Sequence, residues 1–130
     1  MPDVIVNKYV VYNPVDYVLQ LIGGIWKTPV LWRLKNKMYR YTELEKDIPH
    51  ISQKMLTKAL KGLEADWLIS KIMYAEVQSR SEYSIINKGR KLVLLIESIR
   101  NCGISLMMDD GIDYEKMIVQ EALLKKKNKQ

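Results

Sequence analysis

The sequence predicts a mainly α-helical domain carrying one small β-hairpin. Three observations predict it. Apolar residues recur at helical spacing in four separate stretches. Two runs of β-branched and aromatic residues, "LISKIMYA" and "EYSII", stand close together with only a polar link between them. At 130 residues, 48% apolar and 28% charged, the chain suits a single folded domain, 1–130, large enough to bury a core.

The elements follow in order. From Pro14 to Leu21, Val15, Val18, Leu19 and Ile22 keep helical spacing until Gly23 and Gly24 break it, which predicts a first helix. A second runs from about Trp26 to Leu34, with Trp26, Val30, Leu31 and Leu34 inward. Pro29 is tolerated in its first turn, where backbone N–H groups have no partner within the helix to lose. After a short strand within "NKMYRY", a third helix spans Thr42 to about Ile48, with Thr42 as cap and Glu45 reaching back to it. Pro49 and His50 end it, and Ser52 caps a fourth helix that continues to about Ala65. In that helix Met55, Leu56, Ala59, Leu60 and Leu63 share one arc, while Lys54, Thr57, Lys58 and Lys61 share the opposite one.

The two β-prone runs then form a hairpin linked by Glu76 to Ser81. Asn87 caps a fifth helix, Lys88 to about Arg100, which Leu92, Val93, Leu94, Leu95 and Ile96 make apolar nearly all round. A helix of that kind is buried on several sides, and a second copy of the chain is the expected cover. Beyond "NCG" and the acidic turn "DDGID", a last helix from Tyr114 carries Met117, Ile118 and Leu124 on one stripe.

Composition bounds the function. The longest unbroken apolar run, Leu92 to Ile96, is far short of the roughly 20 residues a membrane span needs. The start "MPDVIVNK" has neither the basic flank nor the apolar stretch of a secretion signal, so the expected compartment is the cytoplasm, with no membrane partner. Net charge is +6, but Lys125, Lys126, Lys127 and Lys129 supply four of those charges, and such a tail is either a solvated end or a binding arm. Charge within the fold is therefore more telling. Ile51 to Leu63 holds three lysines and no acid.

Helix, helix, short strand, helix, helix, two-stranded hairpin, helix is the plan of a winged helix-turn-helix domain, with "DIPHIS" as the turn and the hairpin as the wing. On "LIGGIWKTPVLWRL", "RYTELEKDIPHISQKMLTKALKGLEADWLI" and "RSEYSIINKGRKL", the chain resembles the HxlR-type winged-helix transcription regulators over roughly residues 14 to 92. The resemblance implies a homodimer, joined by the first helix and residues about 88–124, that binds operator DNA through the helix after the turn. It makes Ser52, Gln53, Lys54, Thr57, Lys58 and Lys61 the DNA-facing positions, with Arg40 and Arg80 as further contacts. The sequence departs from the family pattern in three places. Asn13 stands where many members have a cysteine that some use to sense oxidants, which excludes redox sensing by that route. Trp67 stands where glycine is usual, which opens the exit from the fourth helix to a different geometry. Gln78 and Ser79 replace prolines near the wing tip.

Each candidate has a plain alternative. Lysines on a helix face neutralise phosphates or approach guanine acceptors, and Gln53 can bridge the polar edge of adenine; on an isolated helix the same lysines merely keep a surface soluble. Their position after a helix-turn-helix turn favours the first role, and a groove-facing acid would be repelled, in keeping with Glu64 coming only at the helix end. Arg80 either enters a narrow minor groove or is plain surface. Arg40 clamps a phosphate or pairs with Glu43 or another nearby acid. His50, the only histidine, has no nucleophile or orienting partner and reads as a turn residue; neither catalytic nor metal-ligating spacing occurs, and no phosphate-cradling glycine loop. Cys102 reads as a small apolar residue, or as an oxidation site that alters subunit packing. The methionines fill gaps in a core or line an effector pocket, and no cofactor or effector is assigned. The expected function is sequence-specific binding of double-stranded DNA by a regulator that is not an enzyme; the alternative is a winged-helix protein-interaction adaptor.

Overall fold

The computed structural model describes residues 4–6, 9–74 and 80–128. The tip of the expected wing, Gln78 and Ser79 included, and Lys129 lie outside them. The order is β1 (Val4–Val6), β2 (Tyr9–Val11), α1 (Pro14–Leu21), α2 (Lys27–Leu34), β3 (Tyr39–Arg40), α3 (Tyr41–Asp47), α4 (Gln53–Ala65), β4 (Ile69–Met73), β5 (Ser81–Ile85), α5 (Asn87–Asp109) and α6 (Tyr114–Asn128). The chain divides into two compact units, residues 1–93 and 94–130.

In the first unit β3, β5 and β4 form an antiparallel sheet with β5 in the middle. The expected hairpin forms, Ile69 pairing with Ile85 and Met73 with Ser81, so that Ser81 opens β5 rather than closing the link, while β3 joins through Tyr39 to Tyr83 and Arg40 to Glu82. The inward residues of β5, Ser81, Tyr83 and Ile85, alternate with half-buried Glu82 and Ser84, as a strand with one face on a core requires. That core joins Val30, Leu31 and Leu34 of α2, Leu44 of α3, Leu56, Leu60 and Leu63 of α4, and Leu68 and Tyr83, all at most 1% exposed. The N-terminal β1–β2 hairpin was not legible in the sequence. Asn13 caps α1, its side chain accepting from the Asp16 N–H at 2.8 Å.

The cap of α3 lies two residues earlier than expected. Arg40, not Thr42, is the cap position, and the Arg40 backbone N–H donates to Glu43 Oε1 at 3.0 Å. "YRYTELE" offers two overlapping acid-after-three spacings, and β3 ends at Arg40, so the earlier spacing wins.

The exit from α4 is a Schellman turn. Trp67 N–H donates to the Glu64 carbonyl at 3.1 Å and Leu68 N–H to the Leu63 carbonyl at 3.0 Å. This turn needs a left-handed residue, and Trp67 takes that conformation with φ of 60°, while its side chain stays 73% exposed. The glycine-type geometry is therefore kept without glycine. The start of α5 packs on the same corner. A Cβ on Gly89 would collide with the Leu68 carbonyl and stand 2.8 Å from Ile85 Cγ1, so only glycine permits this approach. Lys88 Nζ donates to the Asp66 carbonyl at 3.0 Å.

α5 runs through "NCG" to Asp109 rather than ending at Arg100, because a lone glycine within a helix costs only about 1 kcal/mol. Asn87 is its first residue rather than its cap; Ile86 supplies the carbonyl that accepts from the Arg90 N–H. Leu92, Val93 and Ile96 are buried, but Leu94 and Leu95 are exposed. In the second unit Ile99, Leu106, Met108, Met117, Ile118 and Val119 are exposed, as is Cys102, which therefore does not fill this unit as a small apolar residue. The side chain of Leu124 lies outside the described set.

Candidate nucleic-acid interface

α4 begins at a sharp corner. α3 closes with Ile48 N–H donating to the Leu44 carbonyl at 3.0 Å, and Ile48 is buried. Pro49 follows, and His50 turns the chain with φ of 64°. Ser52 is extended, and its Oγ accepts from the Met55 N–H at 3.1 Å. The corner thus feeds a capped helix whose inner stripe, Leu56, Ala59, Leu60 and Leu63, is buried.

That burial leaves the other side of α4 outward. Ser52, Gln53, Lys54, Lys58 and Lys61 are all exposed. No acid among the described residues forms an ion pair with Lys54, Lys58 or Lys61. Arg33, by contrast, is engaged: its Nε donates to Asp47 Oδ2 at 2.9 Å and its Nη2 to the Asp47 carbonyl at 3.0 Å. A row of uncompensated ammonium groups on a rigid helix attracts a polyanion.

Thr57 lies at the edge of this face and is half-buried. Its Oγ1 is 2.9 Å from the hydroxyl of buried Tyr41, which also donates to the Gln53 carbonyl at 3.1 Å. Tyr41 has one proton. Both contacts are hydrogen bonds together only if Tyr41 gives that proton to Gln53 and Thr57 gives its own to Tyr41. Thr57 then meets a ligand as an acceptor alone, suited to a base amino group rather than a phosphate. Tyr41 also ties α3 to the first turn of α4, a positioning role that sequence reasoning missed because an aromatic residue at a helix start reads as core.

Arg40 has its Nε 3.7 Å from Glu82 Oε1, with the Arg40 side chain 62% exposed. Glu82 Oε2 also accepts from the Tyr74 hydroxyl at 3.3 Å, so Arg40 is tied to the root of the wing, on the strand register that pairs it with Glu82. Of the two roles weighed for Arg40, ion pairing is present, with the carboxylate of Glu82 rather than Glu43. Arg80 is exposed at the head of β5. Two residues at α4 stand otherwise than the sequence suggests. Met55, expected in the core, is exposed. Lys27, from α2, lays its side chain over Gly62, where a Cβ would stand 3.2 Å from its Nζ; the signal was a glycine in the middle of a strong helix. Among the described residues no group of His, Cys, Asp or Glu could hold a metal ion, and no helix is long and apolar enough to cross a membrane.

The model of the HxlR-like helix-turn-helix family matches residues 21–110. The chain belongs to the HxlR-like family. An HTH-type transcriptional regulator of Methanothermobacter thermautotrophicus is 37% identical to it over 89 residues, 68% of each chain. The HTH-type regulator YtcD of Bacillus subtilis has a solved structure that superposes with a TM-score of 0.66 at 36% identity, covering 73% of this chain and 97% of that one. The reduced form of the redox regulator HypR superposes with a TM-score of 0.66 at 33% identity over 72% and 92% of the two chains. This HxlR-like protein is thus a transcriptional regulator of winged helix-turn-helix type, related to regulators rather than to enzymes.

Proposed function

We propose that this HxlR-like protein is a homodimeric, cytoplasmic, sequence-specific DNA-binding regulator that inserts α4 into the major groove of an inverted-repeat operator. The observation that carries the proposal is the lysine row of α4, exposed and unpaired among the described residues, beginning at a capped first turn. An α-helix fits the major groove, and its N-terminal residues meet base edges while lysines along it reach phosphates. Gln53 and Thr57 supply the base-reading groups, Ser52, Lys54, Lys58 and Lys61 the backbone contacts, and Arg40 and Arg80 flanking contacts.

Dimerisation by α1 and residues 88–124 accounts for apolar side chains that each unit leaves in solvent. Val15 and Leu19 of α1 are exposed in the first, and Leu106, Met117 and Ile118 in the second. Clusters of that kind mark an interface, and a second copy of the chain is the simplest cover. A two-fold dimer presents its reading helices about 34 to 36 Å apart, or a multiple of that, so the operator is an inverted repeat with that spacing. Selection of bound duplexes from a random pool at near-physiological salt tests this. The expected product is one enriched inverted repeat; a pool that stays random after successive rounds contradicts it.

A further inference from the structure

Met55 breaks the helical pattern that otherwise sorts α4 into a buried and a charged side. Its arc neighbours Leu56, Ala59, Leu60 and Leu63 are at most 4% exposed, whereas Met55 is 43% exposed. Its position is nevertheless fixed, because its N–H is held by Ser52 Oγ and it is the third residue of the helix. At about 100° per residue it lies about 60° around the axis from Lys58 and about 160° from Gln53, so the two non-charged side chains of the first turn flank the lysine row on opposite sides. Two turns further along its own flank stands Gly62, which has no side chain, and Lys27 crosses there with its ammonium group. The flank therefore carries one apolar group at the groove-entering end and a cation at the other.

We propose that Met55 reads the 5-methyl group of a thymine in each half-site. The inference rests on α4 being the reading helix, as proposed above. Thymine is the base that presents an apolar group to the major groove; cytosine in its place offers an amino hydrogen and a bare ring carbon. Lysines cannot sense that methyl group. An unbranched thioether can, because it adapts its shape and removes both apolar surfaces from water without demanding a hydrogen bond. The first turn then divides its work: Gln53 and Thr57 meet polar base edges, Lys54 and Lys58 meet phosphates, and Met55 meets the methyl.

The test uses the full-length protein and the inverted repeat it selects. Each half-site thymine is replaced in turn, symmetrically, by deoxyuridine, which removes the methyl group and nothing else. Binding is measured by fluorescence anisotropy for the unaltered protein, Met55→Ala, Met55→Leu and Lys58→Ala. At one position uracil is expected to weaken the unaltered protein by about ten- to twentyfold, the scale of one methyl group buried in each of the two half-sites. Met55→Ala should bind the thymine and uracil operators alike, Met55→Leu should keep most of the preference, and Lys58→Ala should keep all of it at lower affinity. Thermal melting of Met55→Ala should match the unaltered protein, since the side chain is not in the core. Undiminished discrimination in Met55→Ala, or no sensitive thymine at all, overturns the proposal while Lys58→Ala still reports on α4. Equal binding by Lys58→Ala and the unaltered protein would instead overturn the reading-helix assignment and this proposal with it.

Discussion

The two ends of α4 are built alike in backbone and differ in purpose. Each passes through a non-glycine residue of positive φ, His50 before the helix and Trp67 after it. At the entry, the side chains that follow the turn are in solvent: Ser52, Gln53, Lys54 and Met55. At the exit, backbone is gripped from several directions, with the Leu68 carbonyl accepting from Ile86 N–H, the Asp66 carbonyl accepting from Lys88, and Gly89 closing on Leu68. One end leaves hydrogen-bonding and charged groups unspent for a partner. The other spends them on holding the helix to the sheet. Substitutions at the exit should therefore move stability and leave the affinity of folded protein alone, while those at the entry should move recognition.

The largest expected effect is at the exit. Gly89→Ala places a methyl group inside the Leu68 carbonyl and against Ile85, and overpacking of that kind costs about 2 kcal/mol. The melting temperature should fall by roughly 10 °C for a unit of this size, with DNA affinity per folded molecule unchanged. A Gly89→Ala protein that melts normally would show the corner to be looser than its geometry implies.

Tyr41→Phe probes the entry and is expected to do two things at once. Losing the hydroxyl removes hydrogen bonds to Gln53 and Thr57, a loss of about 1 kcal/mol in a chemical melt. It also frees the Thr57 proton, so the selected operator should change at one base position, while the salt dependence stays the same because no charge is lost. Lower stability with an unaltered operator would reduce Tyr41 to packing.

A smaller effect of opposite sign is expected at Trp67. Glycine at this position relieves the left-handed strain of a bulky residue, partly offset by its greater freedom when unfolded. Because the Trp67 side chain is largely in solvent, Trp67→Gly should stabilise by about 0.5 to 1 kcal/mol, read as a higher midpoint in urea, with affinity unchanged. A loss of affinity in this variant would blur the division between the two ends.

Much of this was legible in the sequence. Apolar spacing located α1, α2 and α4 within a residue or so of their bounds and the start of α6 at Tyr114, Ser52 announced itself as a cap, and the paired β-prone runs announced the hairpin. The lysine face followed from arithmetic on a 3.6-residue period. What escaped depends on contacts that no local pattern encodes. Tyr41 reaches 16 residues along the chain to Thr57, and Lys27 crosses to Gly62 from another helix. Met55 obeys the apolar arc but sits at its edge, where helical period cannot distinguish the core from its rim. The extension of α5 to Asp109 escaped because "NCG" looks like a stop when nothing shows that the residues beyond it continue the helix. At Trp67 the residue type pointed away from a geometry that the Schellman hydrogen bonds enforce.

Lys58 supplies the most direct test of the whole account, since it stands mid-face, exposed and without an acid partner among the described residues. Affinity for the selected operator, titrated against salt for Lys58→Ala and the unaltered protein, should be about three- to tenfold weaker in the variant, with the salt slope shallower by about 1 per lysine that meets a phosphate. Identical affinity and an identical slope would mean that DNA never reaches this face of α4.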